Sequence, residues 1–342
     1  MLQKPKEQAS QSMQSKSNIT LSVVIPSHNR ARDMIQVLDD LKHQTVQPFE
    51  IVITDDRSDP KELTIIKAYI KKHGKHIRFY ENKKNLGLAG NSNEAVRRVR
   101  GQYVTIVNND DRVSPYYVER ILAAIRTYAG FNVYTTNAIG MTEEKQMVGD
   151  YRVKSATGVI HKKTGISHLW SWYFTNLITI SGASIYRTSY KKLHPFNIKY
   201  GNEADLDCAM MFLATEDIMY IDESIYFVRM HSDQTSRKIR LSDEKLIKNI
   251  TTCMSIYQSY PSHKKHVWLY LQKVKGIHII QLAYKYHYSY SKIKKILKIK
   301  TVKEFAACTL TIPWFIAAFA LRIFSFHLRK QQYKRYAPPD IR

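Results

Sequence analysis

The chain has 342 residues, 44% hydrophobic, with a formal net charge of +24 at pH 7, so it can bury a sizeable core as one large domain or two. Its three cysteines, Cys208, Cys253 and Cys308, are odd in number and widely scattered. That pattern excludes a zinc module built on CxxC spacing and fits a reduced compartment. The charge is uneven: residues 237–342 hold 22 Lys+Arg against 4 Asp+Glu, a net of +18. Such asymmetry points to an anionic partner for that third of the chain.

Residues 1–18 are polar, rich in Gln, Ser and Lys, and contain no apolar h-region. They read as part of a disordered segment over 1–20 rather than a signal peptide, which places the protein in the cytoplasm. From residue 21 the chain alternates short apolar runs with helix-like segments. Strands are expected over 21–26, 49–54, 77–80 and 103–107, and helices over 31–43, 61–72 and 89–100. Pro115 opens a further helix to about residue 128, and 132–136 reads as another strand. The strands are nearly continuous Val/Ile runs, as in a mostly parallel sheet covered by helices on both faces. The expected class is therefore α/β. Later come a strand-like run over 180–186, a helix over 204–213, and two short runs at 219–221 and 224–228. A change to Lys/Tyr-rich helical character places a domain boundary near 236, giving domains over 21–236 and 237–342.

Ligands of such sheets bind outside the carboxyl ends of the strands. Three of those ends carry polar clusters: Pro26-Ser27-His28-Asn29, Asp55-Asp56, and Asn108-Asn109-Asp110-Asp111. No Gly-x-Gly-x-x-Gly follows the first strand, so a dinucleotide-binding Rossmann domain is not expected, and no Walker A sequence is present. Adjacent carboxylates at a strand end can share Mg²⁺ or Mn²⁺, which bridges diphosphate oxygens. Asp110 and Asp111 suit that task, and Asn108 suits a ribose or phosphate oxygen. Asp55 or Asp56 can accept hydrogen bonds from a base or ribose, with Pro26, Ser27, His28 and Asn29 closing around the base. Transfer of a sugar to a hydroxyl needs a general base, and Asp205 at a helix start is the candidate.

The ordered series Val23 to Arg30, Ile53-Thr54-Asp55-Asp56-Arg57-Ser58, Asn85-Leu86-Gly87 with Asn93, and Asn108 to Asp111 resembles the signature of family 2 glycosyltransferases. The resemblance implies a GT-A nucleotide-sugar-binding fold over roughly 21–236 and an inverting mechanism, as in bacterial enzymes of surface polysaccharide assembly. It puts the family's aspartate-x-aspartate metal motif on Asn108, Asp110 and Asp111, and its catalytic base on Asp205. Arg229-Met230-His231 through Ser236 resembles the family's late His-x(4)-Ser segment, which implies that His231 joins the metal or diphosphate. Asn85 and Asn93 belong to the same nucleotide-side signature. The sequence departs from the pattern where Ala204 replaces a Glu and Arg57 replaces a turn glycine.

The implied partners are a nucleotide-sugar donor and a sugar or lipid-linked saccharide acceptor. For residues 237–342 the expected partner is an anionic membrane surface. Residues 305–321 form a 17-residue run without charge, flanked on both sides by Lys and Arg. Basic flanks on both sides favour in-plane or re-entrant insertion over spanning, at the inner face of the cell membrane. A nucleic-acid-binding protein is the competing reading of the same charge, and it lacks a recognised module, so no nucleic acid is expected. A sugar-nucleotide pyrophosphorylase would want a Gly-rich phosphate loop where Pro26 to Arg30 has no glycine.

Overall fold

The computed structural model describes residues 19–150, 156–162, 183–193, 195–231 and, with a few isolated positions before them, 326, 329–331 and 333–341. In chain order the elements are β1 (Leu21–Ser27), α1 (Ala31–Lys42), β2 (Glu50–Asp55), α2 (Pro60–His73), β3 (Ile77–Glu81), α3 (Gly87–Arg97) and β4 (Tyr103–Ile106). They continue as β5 (Arg112–Val113), α4 (Tyr117–Thr127), β6 (Val133–Thr142), β7 (Met147–Asp150), β8 (Gly158–Ile160), β9 (Ser184–Arg187), α5 (Ala204–Thr215) and β10 (Ile218–Met230).

One sheet runs in the order β3-β2-β1-β4-β9-β6-β10-β5, with β7 on β6 and β8 on β10. β3, β2, β1 and β4 pair in parallel, as do β6 and β10. β9 enters antiparallel between β4 and β6, so the sheet is mixed at its centre. β1 and β2 are buried along their whole length, which explains why they read as unbroken apolar runs. In α1, Ala31, Met34, Val37, Leu38 and Leu41 fall at helical spacing and are buried, and they join β1 and β2 residues in the main core. α3 differs, because its buried face includes Asn91 and Ser92. A helix that buries an amide is tied to something polar, here the strand ends.

The runs at 219–221 and 224–228 prove to be one strand, β10. Its pairing with β6 shifts register between Ile221 and Ser224, where the polar Asp222-Glu223 breaks the apolar pattern without breaking the ladder. β5 has only two residues and follows a polar turn, so it carries no periodicity to read. Beyond 236, Phe326, Tyr333, Ala337 and Ile341 are buried against Ile139, Met141, Met147 and Phe227 of the sheet. The apolar run 305–321 lies outside the described residues. Among the described residues no helix is long and apolar enough to cross a membrane.

Candidate active site

The carboxyl ends of β1 and β2 and the start of α3 form one polar cradle. Asp56, 2% exposed, accepts from Asn82 Nδ2 (3.0 Å) and Leu86 N (2.8 Å) through Oδ1, and from Gly87 N (2.9 Å) through Oδ2. An anion at the helix start compensates the free N–H groups of α3. Gly87 turns the chain there with φ +70°, a conformation that costs glycine nothing. Asp56 Oδ2 takes a single hydrogen bond among the described residues, so it retains a lone pair for a ligand. Exposed His28 lies over this group, its Nδ1 3.0 Å from the Asp56 carbonyl, and Asn85 Nδ2 donates to the same carbonyl at 3.2 Å. Asn91 fastens α3 beneath, donating to the carbonyls of Ser27 (3.2 Å) and Thr54 (3.0 Å).

Asp55 is fully buried and its carboxylate is used within the turn, accepting from Ser58 N (2.9 Å) and Ser58 Oγ (2.5 Å). Ser58 Oγ in turn accepts from Asn29 N at 2.7 Å. The sequence reading left the nucleotide role open between Asp55 and Asp56; Asp55 is hydrogen-bonded within its own turn, whereas Asp56 is hydrogen-bonded to the start of α3. Arg57 holds φ +67°, so the residue that replaces the turn glycine adopts a glycine-like backbone. Pro26 stands past the last β1–β4 pair, Val24 with Ile106, where a missing N–H is tolerated. Ser27 is buried at the strand end, and among the described residues its Oγ has no hydrogen-bond partner.

The second cluster is the turn after β4. Asp111 is 2% exposed and spent inside the fold. Its Oδ2 accepts from Tyr226 Oη (2.5 Å) and Asn108 Nδ2 (2.9 Å), and its Oδ1 from Arg229 N (2.9 Å). Burial raises its pKa, and the neighbouring Asp110 charge raises it further, against the pull of those hydrogen bonds. Asp110 faces the other way. Its Oδ2 lies 3.0 Å from His231 Nε2 and 3.7 Å from the Arg30 guanidinium, which itself lies 3.1 Å from His231 Nε2. The two carboxylates that the sequence groups as one metal pair are thus divided: Asp111 organises the turn and Asp110 meets His231. Asn108, expected at a ribose or phosphate oxygen, uses its amide on Asp111.

The clusters share a wall. Asn29 donates its N–H to Ser58 on the β2 side, and its carbonyl accepts from Asn109 Nδ2 at 3.4 Å on the β4 side. Asn29 and Arg30 both adopt left-handed backbone, φ 57° and 60°, which turns the chain sharply out of β1 into α1. On the far side Arg229 bolts the end of β10 to α1, donating to Asp33 (2.9 Å) and Gln36 (2.7 Å).

Asp205 occupies the first turn of α5, its Oδ1 accepting from Leu206 N at 2.7 Å. Desolvation pushes its pKa up to about 6, helped by the charge of Glu203. Among the described residues no hydrogen bond joins its side chain to either cluster. The α5 start follows the 3-10 turn Ile198–Glu203, and the segment leading into that turn is fixed to α3 by Asn93, whose amide donates to Phe196 O (2.7 Å) and accepts from Phe196 N (3.1 Å). Asn93 is therefore a fastener between elements.

Sequence reasoning quoted Arg30 and Arg229 only as members of longer stretches and gave no part to Asn82, Asn91 or Tyr226. Tyr226 had a signal, since a tyrosine in an otherwise apolar buried strand must place its hydroxyl on a partner. The other four are polar residues whose partners are remote in the chain.

The family model Glycosyl transferase family 2 matches residues 22–190. Among curated proteins, the Escherichia coli chondroitin synthase is 24% identical over 69% of this chain and 32% of its own length. The Streptococcus pneumoniae glycosyltransferase GlyA is 25% identical over 64% of this chain and 31% of its own. The chain thus spans about a third of the length of these curated relatives. The S. aureus TarS 1-349 structure in complex with UDP aligns with a TM-score of 0.60 at 16% identity, covering 94% of this chain and 93% of that one. The TarS complex with UDP-GlcNAc aligns with a TM-score of 0.57 at 18% identity, over 85% and 78%. The sheet, with its polar clusters at the ends of β1, β2 and β4, and the family match agree, and residues 22–190 form a glycosyl transferase family 2 domain.

Proposed function

We propose that the protein is an inverting glycosyltransferase that draws its sugar from a UDP-linked donor, assisted by Mg²⁺ or Mn²⁺. The acceptor is a hydroxyl of a sugar or lipid-linked saccharide in bacterial polysaccharide or glycolipid assembly. The reading rests on one observation: Asp110 and His231 meet at 3.0 Å beside the Asp56 cradle, with Asn29 joining the two. The UDP and UDP-GlcNAc complexes of TarS, and the sugar-polymer names of the relatives, support the choice of donor and product.

One carboxylate oxygen and one imidazole nitrogen make a donor pair suited to Mn²⁺ or Mg²⁺. No group of three His, Cys, Asp or Glu side chains converges among the described residues, so Asp110 and His231 would hold the ion with donor phosphates and water completing its shell. A cation bound there neutralises charge on the departing diphosphate. Asp56 Oδ2 accepts a base N–H, and the exposed His28 ring covers the base. Arg30 adds a fixed positive charge beside Asp110. Asp205 takes the acceptor proton as the hydroxyl oxygen attacks the anomeric carbon, and one displacement inverts that centre. The +18 region supports location at the cytoplasmic face of an anionic membrane, near a lipid-linked acceptor.

The test is UDP binding followed by thermal shift and Mn²⁺ binding followed by electron paramagnetic resonance. Saturating UDP with Mn²⁺ should stabilise the protein by about 2.7 kcal/mol at a hundredfold excess over Kd. Asp110→Ala and His231→Ala should lose the Mn²⁺ signal and the metal-dependent part of the shift. Equal UDP stabilisation in chelator and in both variants would sink the metal assignment.

A further inference from the structure

The described end of the chain reaches back to the residue that follows the Asp110-Asp111 turn. Arg112, nearly buried, places its guanidinium between two carboxylates. Nε and Nη2 donate to Asp40 of α1 at 2.6 and 2.7 Å, while Nη1 and Nη2 donate to Asp340 Oδ2 and Oδ1 at 3.0 Å each. Lys145, at the β6–β7 turn, pairs with the same Asp340 at 2.7 Å. Next to this ionic knot the segment is anchored by apolar burial: Phe326 stacks on Tyr333 at 5.8 Å, and Tyr333, Ala337 and Ile341 sit in the cluster with Phe227.

The anchor and the site share two strands. Arg112 pairs with Phe227 and Val113 with Tyr226 across β5 and β10. Phe227 is covered by the end segment, whereas its neighbour Tyr226 holds Asp111, and Arg229 N two residues on holds the other Asp111 oxygen. A displacement of β5 against β10 therefore moves the turn and the Asp110–His231 pair together. Surface ion pairs contribute little to stability, and Asp340 is 40% exposed. A two-pronged fork with the guanidinium buried has a geometric use instead.

We propose that the described residues Phe326 and Tyr333 to Ile341 clasp the β5–β10 pair and that Asp340 is a positioning residue for the donor-side turn. In its binding arm the inference rests on the UDP reading above; its exchange arm does not. In the full chain, Asp340→Ala should speed hydrogen exchange at the Asp111 and Arg229 amides by about threefold to tenfold and weaken Mn²⁺-dependent UDP binding by a similar factor. Asp340→Glu, which keeps the charge, should restore most of both. The control is Arg78→Ala, which breaks the Arg78–Glu50 pair at the opposite end of the strands. It should lower Tm without altering either readout. Unchanged exchange at both amides in Asp340→Ala would overturn the proposal, whatever the protein binds. Faster exchange with no UDP binding by the unaltered protein would keep the clasp and sink the donor reading.

Discussion

Removing the Asp111 carboxyl strips three donors of their acceptor: the Tyr226 hydroxyl, the Asn108 amide and the Arg229 N–H. Each buried donor without a partner costs about 1–3 kcal/mol, partly relieved because a buried charge next to Asp110 also disappears. Asp111→Ala should therefore destabilise the fold by about 2–4 kcal/mol in urea unfolding. Asp110→Ala touches only His231 and Arg30 at a partly exposed position and should change stability by about 0.5 kcal/mol or less. If both variants lost stability equally, the division of labour between the two residues would be wrong. That two carboxylates follow an apolar strand, and are candidates for a site, is legible in the sequence. Which one faces outward is not, because the choice is made by Tyr226, 115 residues further along.

Helix α5 presents Asp205 in its first turn, and there the helix start favours the carboxylate while desolvation opposes it. Desolvation wins, lifting the group from its ordinary value of 3.8 to about 6. The folded protein thus binds the proton more tightly than the unfolded chain does. The stability that protonated Asp205 contributes is fully present below pH 3.8 and is lost as pH rises through about 6. Asp205→Asn should consequently match the unaltered Tm near pH 4 and exceed it by about 2–4 °C above pH 7. The same variant should lose about 10²–10⁴-fold in kcat while keeping UDP affinity. In the unaltered enzyme kcat should fall as the pH drops below about 6, where the base is protonated. A flat Tm difference across pH, or turnover near the unaltered rate, would move the base to another residue. At this scale the elements of the first half, β5 excepted, are read from sequence within a few residues, since β1 to β4 and α1 to α4 are specified by local periodicity. β10 is read as two pieces because Asp222-Glu223 interrupts its pattern, yet the ladder with β6 continues past the shift.

Across the whole molecule, the two polar clusters are assembled from four stretches that are far apart in the chain. Residues 27–30 and 55–58 supply the polar cradle, residues 108–112 the turn, and residues 226–231 the wall beside it. The basic region beyond 236, as far as it is described, adds a further tie through Asp340. None of these long-range ties is visible from periodicity, which is why the sequence supplies candidate residues without their pairing.

That β10 holds Asp111 also bears on how the protein is made. A ribosome adds about 5–20 residues per second, so the 115 positions between Asp111 and Tyr226 take about 6–23 s to synthesise. Throughout that interval the emerging β1–β4 sheet carries a carboxylate whose acceptors are all in use only after β10 arrives. Stalled nascent chains whose last exposed residue precedes 226 should stay sensitive to brief protease treatment. Chains with residue 231 outside the ribosome should become resistant over 21–127. Early protection of the shorter chains would mean that the first half closes without its partner strand. Slow codons placed just before β10 would then prolong a state that chaperones can seize, and the yield of active enzyme would depend on translation speed as well as on sequence.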